Sequence, residues 1–405
     1  MVIFDSKYGD LSVPIPVRHR RKVPFLPRLN LSDGTGARLA KLQELDRELS
    51  QYIVPAADFR ERVEEVVASN LHSSVRLEGN PIELSQVRLM TRQSLQGQLR
   101  SDEPPTRREV LNHLAVWFTP EDLSGPWSLN TLTGLHRALL DGVDPKALPG
   151  RLRTRASAIY SDEGEELFVT APPAHIAEEL ESLLDWLNHD ASALSPVVAG
   201  AVFFHEFESI HPFEEGNGRT GRVLFHAYLQ NHGLTSSYRC GIEAELLLRP
   251  EIYYRVLSWT DLREEYGVLV DFFVDSVLTA YEAANTWYRE RDVLRELEPL
   301  SRLLLHRAFM HRTPFDLRTA HSWVPSRGEQ VLRLRLRGLV KAGMLISEGN
   351  TRALKYRFAD PLADLQRRVN PLRLALGFAH GVHPYRVPNQ KTPRQGRRRP
   401  SPPKN

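Results

Sequence analysis

The chain has 405 residues, of which 53 are Lys or Arg and 50 are Asp or Glu, so its formal net charge is only +3. At this length we expect two or three domains, and a hydrophobic fraction of 41% is enough for real cores. No run of about 18 or more apolar residues and no signal peptide is visible, which predicts a soluble, cytoplasmic protein that does not bind a membrane. Cys240 is the single cysteine, which excludes an intrachain disulfide and a cysteine zinc cluster.

The first part of the chain is predicted to be an arm followed by helices. Residues 1–36 are rich in proline and basic residues and predict an extended N-terminal arm, whereas residues 37–126 predict a helical region. The helices predicted along the chain by apolar periodicity are 37–52, 57–77, 84–97, 107–118, 129–141, 174–188, 195–210, 217–232 and 268–293. The helix at 57–77 is followed directly by Glu78 and then by Gly-Asn-Pro, and Ser74 and Glu78 share one helix face.

Between Arg155 and Pro173 the pattern changes to short β-prone runs. Residues 156–160 and 167–170 are such runs, and they flank the polar segment 161–166. This arrangement predicts a β-hairpin. The acidic tip favours a basic partner, although a solvated turn explains the same charges.

The most informative segment is residues 211–222, which read His-Pro-Phe-Glu-Glu-Gly-Asn-Gly-Arg-Thr-Gly-Arg. Apolar residues precede it at helical spacing until Pro212, and helical spacing resumes after the glycines. The segment is therefore predicted to be a tight loop that leads into the N-terminus of a helix. Free backbone N–H groups and the helix dipole make such a terminus an anion site.

The glycines and arginines of this loop suit the binding of a nucleotide. Gly216 and Gly218 lack the Cβ that would keep the backbone away from a phosphate. Arg219 and Arg222 are three residues apart, so both can reach the outer phosphates from one helix face.

Two further side chains of the loop suit catalysis. Glu215 is a hard oxygen ligand of the kind that binds Mg²⁺ together with substrate phosphates. His211, whose ordinary pKa lies near 6.5, is suited to act as a general base.

Two other interpretations of the loop are weaker. Residues 216–221 also spell GxGxxG, but a dinucleotide fingerprint follows a strand, and here a helical pattern precedes it. His205, His211 and the glutamates between them miss the HExxH metal spacing because position 209 is serine.

The loop matches the motif HxFx(D/E)GNGRxxR of the Fic family at every fixed position. The resemblance extends over roughly residues 60–280, because residues 109–112 and 135–153 resemble the helices that lead to the family's flap. It implies a mainly α fold, with a Fic-type helical core at residues 127–280 and the predicted hairpin as its flap.

The resemblance also implies an activity. The family transfers AMP from ATP to a Ser, Thr or Tyr hydroxyl of a protein, and the flap (155–173) presents that target by strand addition. His211 would be the catalytic base, Glu215 would hold Mg²⁺, and Phe213 would pin the loop to the core. The residues implied to bind the nucleotide are Gly216, Asn217, Gly218, Arg219, Thr220, Gly221, Arg222, Tyr253 and Tyr254.

Residues 74–79 resemble the family's inhibitory motif, (S/T)xxxE(G/N), in which Ser74 and Glu78 are the fixed residues. The resemblance implies that Glu78 pairs with Arg222 and disfavours productive binding of ATP; an ordinary helix end explains the same string if it is taken alone. In some family members this glutamate assists a water molecule, so removal of AMP at the same site stays open.

Residues 298–360 are predicted to form a winged helix-turn-helix module. The pattern consists of helices at 300–310, 313–321 and 330–342, followed by two strands, and several Fic proteins carry such a module. The third helix would be the recognition helix, because it carries Arg333, Arg335 and Arg337. Binding of DNA stays open beside a protein-binding role or a homodimer.

Residues 370–405 are predicted to be a disordered basic tail. The last fifteen residues carry six positive charges and no acid, so the remaining 390 residues carry a net charge of −3. Such a tail binds nucleic acid non-specifically or serves only solubility. The alternative to the enzyme is therefore a DNA-associated regulator whose Fic core senses a nucleotide.

Overall fold

The structure, a computed structural model, describes residues 7–96, 98, 103–117, 123–161, 163–311, 313–350 and 353–375. These residues are mainly helical, which confirms the predicted fold class at that level. The helices up to the loop at 211–216 are α1 (Thr35–Leu49), α2 (Ala56–Leu77), α3 (Leu84–Leu95), α4 (Pro105–Trp117), α5 (Leu129–Leu140), α6 (Ile176–Asp185) and α7 (Pro196–Ile210). The later helices are α8 (Asn217–Asn231), α9 (Ile242–Leu246), α10 (Pro250–Arg263), α11 (Gly267–Glu290), α12 (Pro299–His311), α13 (Leu317–Trp323), α14 (Glu329–Lys341) and α15 (Pro361–Ala375).

The centre of the molecule is α7, which packs against α8 and α11. Nearly every residue of α7 is buried, because its apolar side chains surround the helix instead of forming one stripe. Aromatic rings fill the contacts around it, among them Phe203, Phe204, Phe207, Phe225 and Phe273. The end of this rigid helix therefore fixes where the chain enters the loop at 211–216.

The predicted arm is extended and lies packed on the body of the protein. Residues 1–6 of it lie outside the described part. Its strand β1 (Val17–Arg18) pairs in parallel with β3 (Glu166–Val169), and β2 (Ala158–Tyr160) pairs antiparallel with the other edge of β3. The hairpin formed by β2 and β3 lies where the sequence predicted one, with Ile159 opposite Phe168.

Residues 299–358 pack around a second hydrophobic cluster, which includes Leu304, Leu332, Leu336 and Tyr356 and is joined by Ile53. Three helices, α12 to α14, are followed by the antiparallel strands β4 (Leu345–Glu348) and β5 (Lys355–Phe358). The winged-helix assignment itself stays a prediction. No described helix is long and apolar enough to span a membrane.

The sequence-based helix at 313–321 was placed wrongly. The observed helix, α13, begins after Asp316, whose side chain accepts a hydrogen bond from the Thr319 N–H and caps the helix. Phe315 forms a β-bridge with Tyr356, so the residues before the cap are extended. Here the pairing of Phe315 with Tyr356 decides the local conformation, although the apolar periodicity favours a helix.

The tail prediction was also wrong at its start. Residues 370–375 belong to α15, whose Leu365, Val369 and Leu372 are fully buried; the helix packs against α2, α3 and α4. The many proline and basic residues near the end of the chain had led to a prediction of disorder, although the apolar residues of α15 follow a helical spacing. Residues 376–405 lie outside the described part of the chain.

Candidate active site

The loop at 211–216 is fixed by two residues in the left-handed region of backbone conformation. His211 ends α7 with a φ of 53°, and Gly216 precedes α8 with a φ of 79°. A side chain at Gly216 would be strained and would press on Leu140. The predicted loop and helix start are therefore present.

The His211 side chain has one nitrogen committed to the protein. Its Nδ1 lies 3.2 Å from the Glu208 carbonyl oxygen, which can only accept, so Nδ1 carries the proton. The lone pair is then on Nε2. Burial lowers the pKa of His211 to about 4, so the imidazole is neutral at pH 7 and able to take a proton.

Three side chains brace the loop from inside. Phe213 is fully buried and stacks on His136 with ring centroids 3.8 Å apart. His136 Nε2 lies 2.8 Å from the Glu215 carbonyl oxygen. Asn217 bonds to both the N–H and the C=O of Phe213, each at 2.9 Å. Asn217 therefore closes the loop, and its predicted contact with the α-phosphoryl group stays a prediction.

Arg153 ties the loop to the hairpin. Its guanidinium is buried and donates to the carbonyl oxygens of His211 at 2.6 Å and Ile210 at 3.1 Å, and also to Ala171 at 2.5 Å. From the sequence, Arg153 was noted only as the last residue of the segment 135–153, which resembles the approach to the family's flap. A buried arginine that binds several carbonyls gives no local signal in a sequence.

The structure brings Arg222 and Glu78, which are 144 residues apart, into direct contact. Arg222 Nη2 donates to Glu78 Oε1 at 2.9 Å and to the Ser74 carbonyl at 3.0 Å, and Nε donates to Ser74 Oγ at 2.9 Å. Burial opposes the ionisation of Glu78, but Arg222 and Arg219 outweigh it and lower its pKa. Any side chain at Gly218 would collide with the Glu78 carboxylate.

Arg219 lies beside the same carboxylate. Its Nε is 3.8 Å from Glu78 Oε2, while Nη1 bonds to Glu109 of α4. Glu109 also accepts a hydrogen bond of 2.7 Å from Asn80, the second residue after Glu78. The end of α2 and the start of α8 are thus joined through one set of buried charges.

Two buried acids near Arg222 were missed from the sequence. Burial raises the pKa of Glu208, with a smaller effect from Glu78, to about 8. Burial also raises the pKa of Glu243, against Arg222 and Ser74, to about 7. Neither acid belongs to a motif, and only the fold shows that they face the same guanidinium.

Glu215 is exposed at the mouth of the loop. Among the described residues no cluster of three or more His, Cys, Asp or Glu is arranged to hold a metal ion. Burial raises the pKa of Glu215; Arg219 opposes this effect, and the negative charges of Glu78, Asp144 and Glu214 add to it. This excess of negative charge fits a cation that is held by one carboxylate and by substrate phosphates.

The remaining predicted nucleotide-binding residues have different environments. Thr220 is buried and donates to the Gly216 carbonyl at 2.8 Å, and Gly221 is covered by Glu208 and Phe204. Tyr253 on α10 is buried close to Arg222, whereas Tyr254 is 46% exposed. The two tyrosines therefore do not share a surface, and a role for either at the adenine stays a prediction.

Residues 126–229, which include the loop and most of the helices around it, match the Fic/DOC family model. The chain contains a Fic/DOC domain. The Fic domain ends at α8, so Glu78 and Glu109 reach it from outside the matched range, whereas Arg153 lies inside it.

Proteins with a similar sequence include protein adenylyltransferase fic-1 of Caenorhabditis elegans, 30% identical over 26% of this chain and 20% of that protein. Protein adenylyltransferase Fic of Drosophila willistoni is 30% identical over 48% of this chain and 38% of that protein. The chain thus spans well under half the length of these relatives. A Fic family protein from Desulfovibrio desulfuricans G20 has a similar fold, with a TM-score of 0.54 at 23% identity over 82% of this chain and 98% of that chain.

Proposed function

We propose that the chain is a protein adenylyltransferase, which transfers AMP from ATP to a hydroxyl group of a target protein. The observation that carries the proposal is the His211 side chain, whose free Nε2 lies at the entrance of a glycine-lined loop that opens onto the N-terminus of α8. Relatives named protein adenylyltransferase support the same activity.

In the proposed reaction His211 removes the proton of the incoming hydroxyl through Nε2. The hydroxyl oxygen attacks the α-phosphorus of ATP, the bond to the β-phosphate oxygen breaks, and pyrophosphate leaves. The N–H groups at the start of α8 stabilise the charge that develops on the α-phosphoryl oxygens. Since no covalent nucleophile is needed, positioning and charge stabilisation supply most of the rate.

Arg219 and Arg222 would bind the outer phosphates once the glutamates facing them give way. Glu215 would hold Mg²⁺, which neutralises the charge of the departing pyrophosphate when it is bound. The hairpin formed by β2 and β3 would serve as the flap, and its free edge at β2 is where a target strand can pair.

We further propose that Glu78 inhibits the enzyme. It occupies Arg222 Nη2 and lies within 4 Å of Arg219, so both guanidiniums are engaged before a nucleotide arrives. A γ-phosphate has to compete with this carboxylate. The side chain of Glu78 is 22% exposed, whereas that of Arg222 is 2% exposed, so Glu78 is the partner that can withdraw.

Labelled ATP tests the proposal on the whole chain. We expect Glu78→Gly to raise transfer of labelled AMP at least about tenfold, because one released ion pair is worth more than 1.4 kcal/mol in a buried site. Adding His211→Ala should lower that activity by about 10² to 10⁴, the usual contribution of a general base. The exposed Glu83→Gly is the control, and absence of label transfer by Glu78→Gly would contradict the proposal.

Removal of AMP by the same site is a second candidate, favoured by one observation. The ionised Glu78 carboxylate lies close enough to His211 for the two groups to interact, so it can orient a water molecule. We expect Glu78→Gly to abolish release of AMP from a modified protein while it raises AMP transfer. Release that persists in this variant would contradict the assignment.

A further inference from the structure

Two carboxylates lie within 4 Å of the Arg222 guanidinium in the described part of the chain. Glu78 contacts its Nη2 at 2.9 Å, and Glu243 Oε2 lies 3.9 Å from its Nε. Glu243 stands on the short helix α9, and its side chain is 1% exposed, compared with 22% for Glu78. Hence one carboxylate is placed to leave and the other is enclosed with the guanidinium.

The enclosed carboxylate has two kinds of neighbour besides Arg222: the Ser74 hydroxyl, whose hydrogen bond lowers the pKa of Glu243, and the His226 ring. His226 Nε2 lies 3.4 Å from Glu243 Oε1, but burial lowers the pKa of His226 to about 3, so this ring is neutral. Glu243 Oε2 accepts no hydrogen bond from the described residues. The Arg222 guanidinium is therefore the only positive charge in contact with Glu243 in the described part of the chain.

A buried guanidinium cannot lose its proton, so it needs a negative partner at all times. While Glu78 is in contact with Arg222, that need is met, and Glu243 is free to be protonated. Once Glu78 withdraws and before a nucleotide binds, Glu243 is the carboxylate left in contact with Arg222. Glu243 can therefore replace Glu78 as the partner of Arg222 until a nucleotide binds.

We propose that Glu243 is a positioning residue for Arg222, which acts as its counter-ion when Glu78 withdraws and keeps the guanidinium aimed at the phosphate-binding loop. The link to phosphate binding rests on the proposed function. The exchange of counter-ions itself is a property of the protein without nucleotide, and it can be tested separately.

The proposal predicts that inhibition depends on pH. Withdrawal of Glu78 exposes Glu243 to the full charge of Arg222, so Glu243 loses its proton, and loss of a proton is favoured as the pH rises. Inhibition should weaken as the pH rises through about 7, the pKa of Glu243 in the inhibited state. Among the described residues, the other ionisable groups around Arg222 are Glu78 on α2, His113 on α4, Glu208 on α7, Arg219 and His226 on α8, and Tyr253 and Tyr254 on α10.

Of these neighbours, only Glu208 titrates in the same range, since its pKa lies at about 8. His113 and His226 have pKa values of about 3 and stay neutral. Burial raises the pKa of Tyr253 well above its usual value, so this residue stays protonated. A Glu208→Gln variant therefore separates the two acids in any pH measurement.

A double-mutant cycle in thermal unfolding, measured at pH 8 without nucleotide, tests the exchange of counter-ions. We expect Glu78→Gly and Glu243→Gln to lower the Tm only slightly when each is made alone, because the other carboxylate remains. Together they should lower it by roughly 5 to 10 °C beyond the sum of the two, since the buried charge is left uncompensated. Glu245→Gln, on the same helix, is the matched control and should show no such coupling.

A rescue variant excludes a merely structural effect. Adding Arg222→Met to the double variant removes the uncompensated charge and should restore the Tm, or folding itself if the double variant does not fold. Additive losses, or a failure of Arg222→Met to rescue, would overturn the proposal. The cycle does not depend on AMP transfer, so its outcome is separate from that of the proposed function.

Activity supplies the second measurement. The ratio of the rate of Glu78→Gly to that of the unmodified chain should fall about threefold between pH 6.5 and 8. With Glu208→Gln in both proteins the ratio should still fall, and with Glu243→Gln added to both it should become flat, because Glu78 also raises the pKa of Glu208. A ratio that keeps its pH dependence when both Glu208 and Glu243 are replaced would overturn the proposal.

Discussion

His211 illustrates how the fold changes the chemistry of a single residue. Its ordinary pKa is close to 6.5, but burial lowers it to about 4, because a charged imidazole would lose its hydration there. The Glu208 carbonyl fixes the tautomer in addition. The sequence could identify the base, but not its protonation state.

We therefore expect the proposed reaction to tolerate acid. A base with a pKa of 6.5 would lose about 90% of its active form at pH 5.5, whereas one with a pKa near 4 loses almost none. The pH profile of kcat/KM for the Glu78→Gly variant checks this, with circular dichroism at each pH as the control for folding. A drop in rate centred near pH 6.5 would contradict the assigned state of His211.

A second prediction concerns Glu109, which holds Arg219 in place. Glu109 and Arg219 are both buried, so removal of the carboxylate leaves a buried guanidinium without its nearest partner. We expect Glu109→Ala to lower the free energy of unfolding by about 3 kcal/mol. The control is Glu103→Ala at the half-buried i,i+4 pair with Arg107, for which we expect less than about 1 kcal/mol. Equal losses in chemical denaturation would contradict the assignment.

The site residues that are neighbours in the sequence could be predicted, whereas those on separate helices could not. The residues from 211 to 222 are contiguous, so spacing alone predicted a loop and a helix start. Glu78 was found only because it lies in a second short motif. Glu109, Glu208 and Glu243 reach the same arginines from separate helices, and no local pattern could join them.

At the scale of elements, the N-terminal arm and the hairpin form one sheet. β1 takes the outer edge of β3, and the His19 N–H donates to the Val169 carbonyl at 2.8 Å. The His19 ring bridges Ser209 at 2.8 Å and Glu179 at 2.7 Å. The arm therefore connects the hairpin to α6 and to the end of α7, two residues before His211.

This connection predicts that the arm stabilises the hairpin. His19→Ala removes a buried partner of Glu179 and should loosen β1, so the N–H groups of residues 166–169 should exchange with deuterium roughly tenfold faster. Arg20→Ala, which removes an exposed ion pair with Glu264, is the neighbouring control and should have little effect. Unchanged protection in His19→Ala would show that the hairpin is stable without the arm.

Elements were predicted well where apolar spacing was long and regular. The helices predicted between 37 and 293 agree with α1 to α8 and α11 to within three residues at each end. The short α9 and the amphipathic α10 were missed, although α10 carries Tyr253 and Tyr254. In α10, polar and charged residues interrupt the apolar spacing, and packing against α11 and β1 selects its buried face.

At the scale of the molecule, charge is distributed unevenly along the chain. The last fifteen residues carry six positive charges, and the remaining 390 carry a net −3. On α14, Arg333 pairs with Glu329 and Arg335 pairs with Glu298, and the intervening Leu334 is 65% exposed. Two of the three arginines of α14 are thus paired, and only Arg337 is exposed without an ion pair among the described residues, so we infer that the tail dominates any contact with nucleic acid.

Salt dependence tests this inference. If the tail neutralises six phosphates, a plot of log K against log salt concentration for a random DNA duplex should have a slope of about −5, and truncation after residue 390 should abolish most of it. Replacing Arg333 and Arg335 by glutamine in the full chain should leave the slope nearly unchanged. A truncated chain that keeps both affinity and slope would place the DNA contact on the folded part, with α14 as the first candidate.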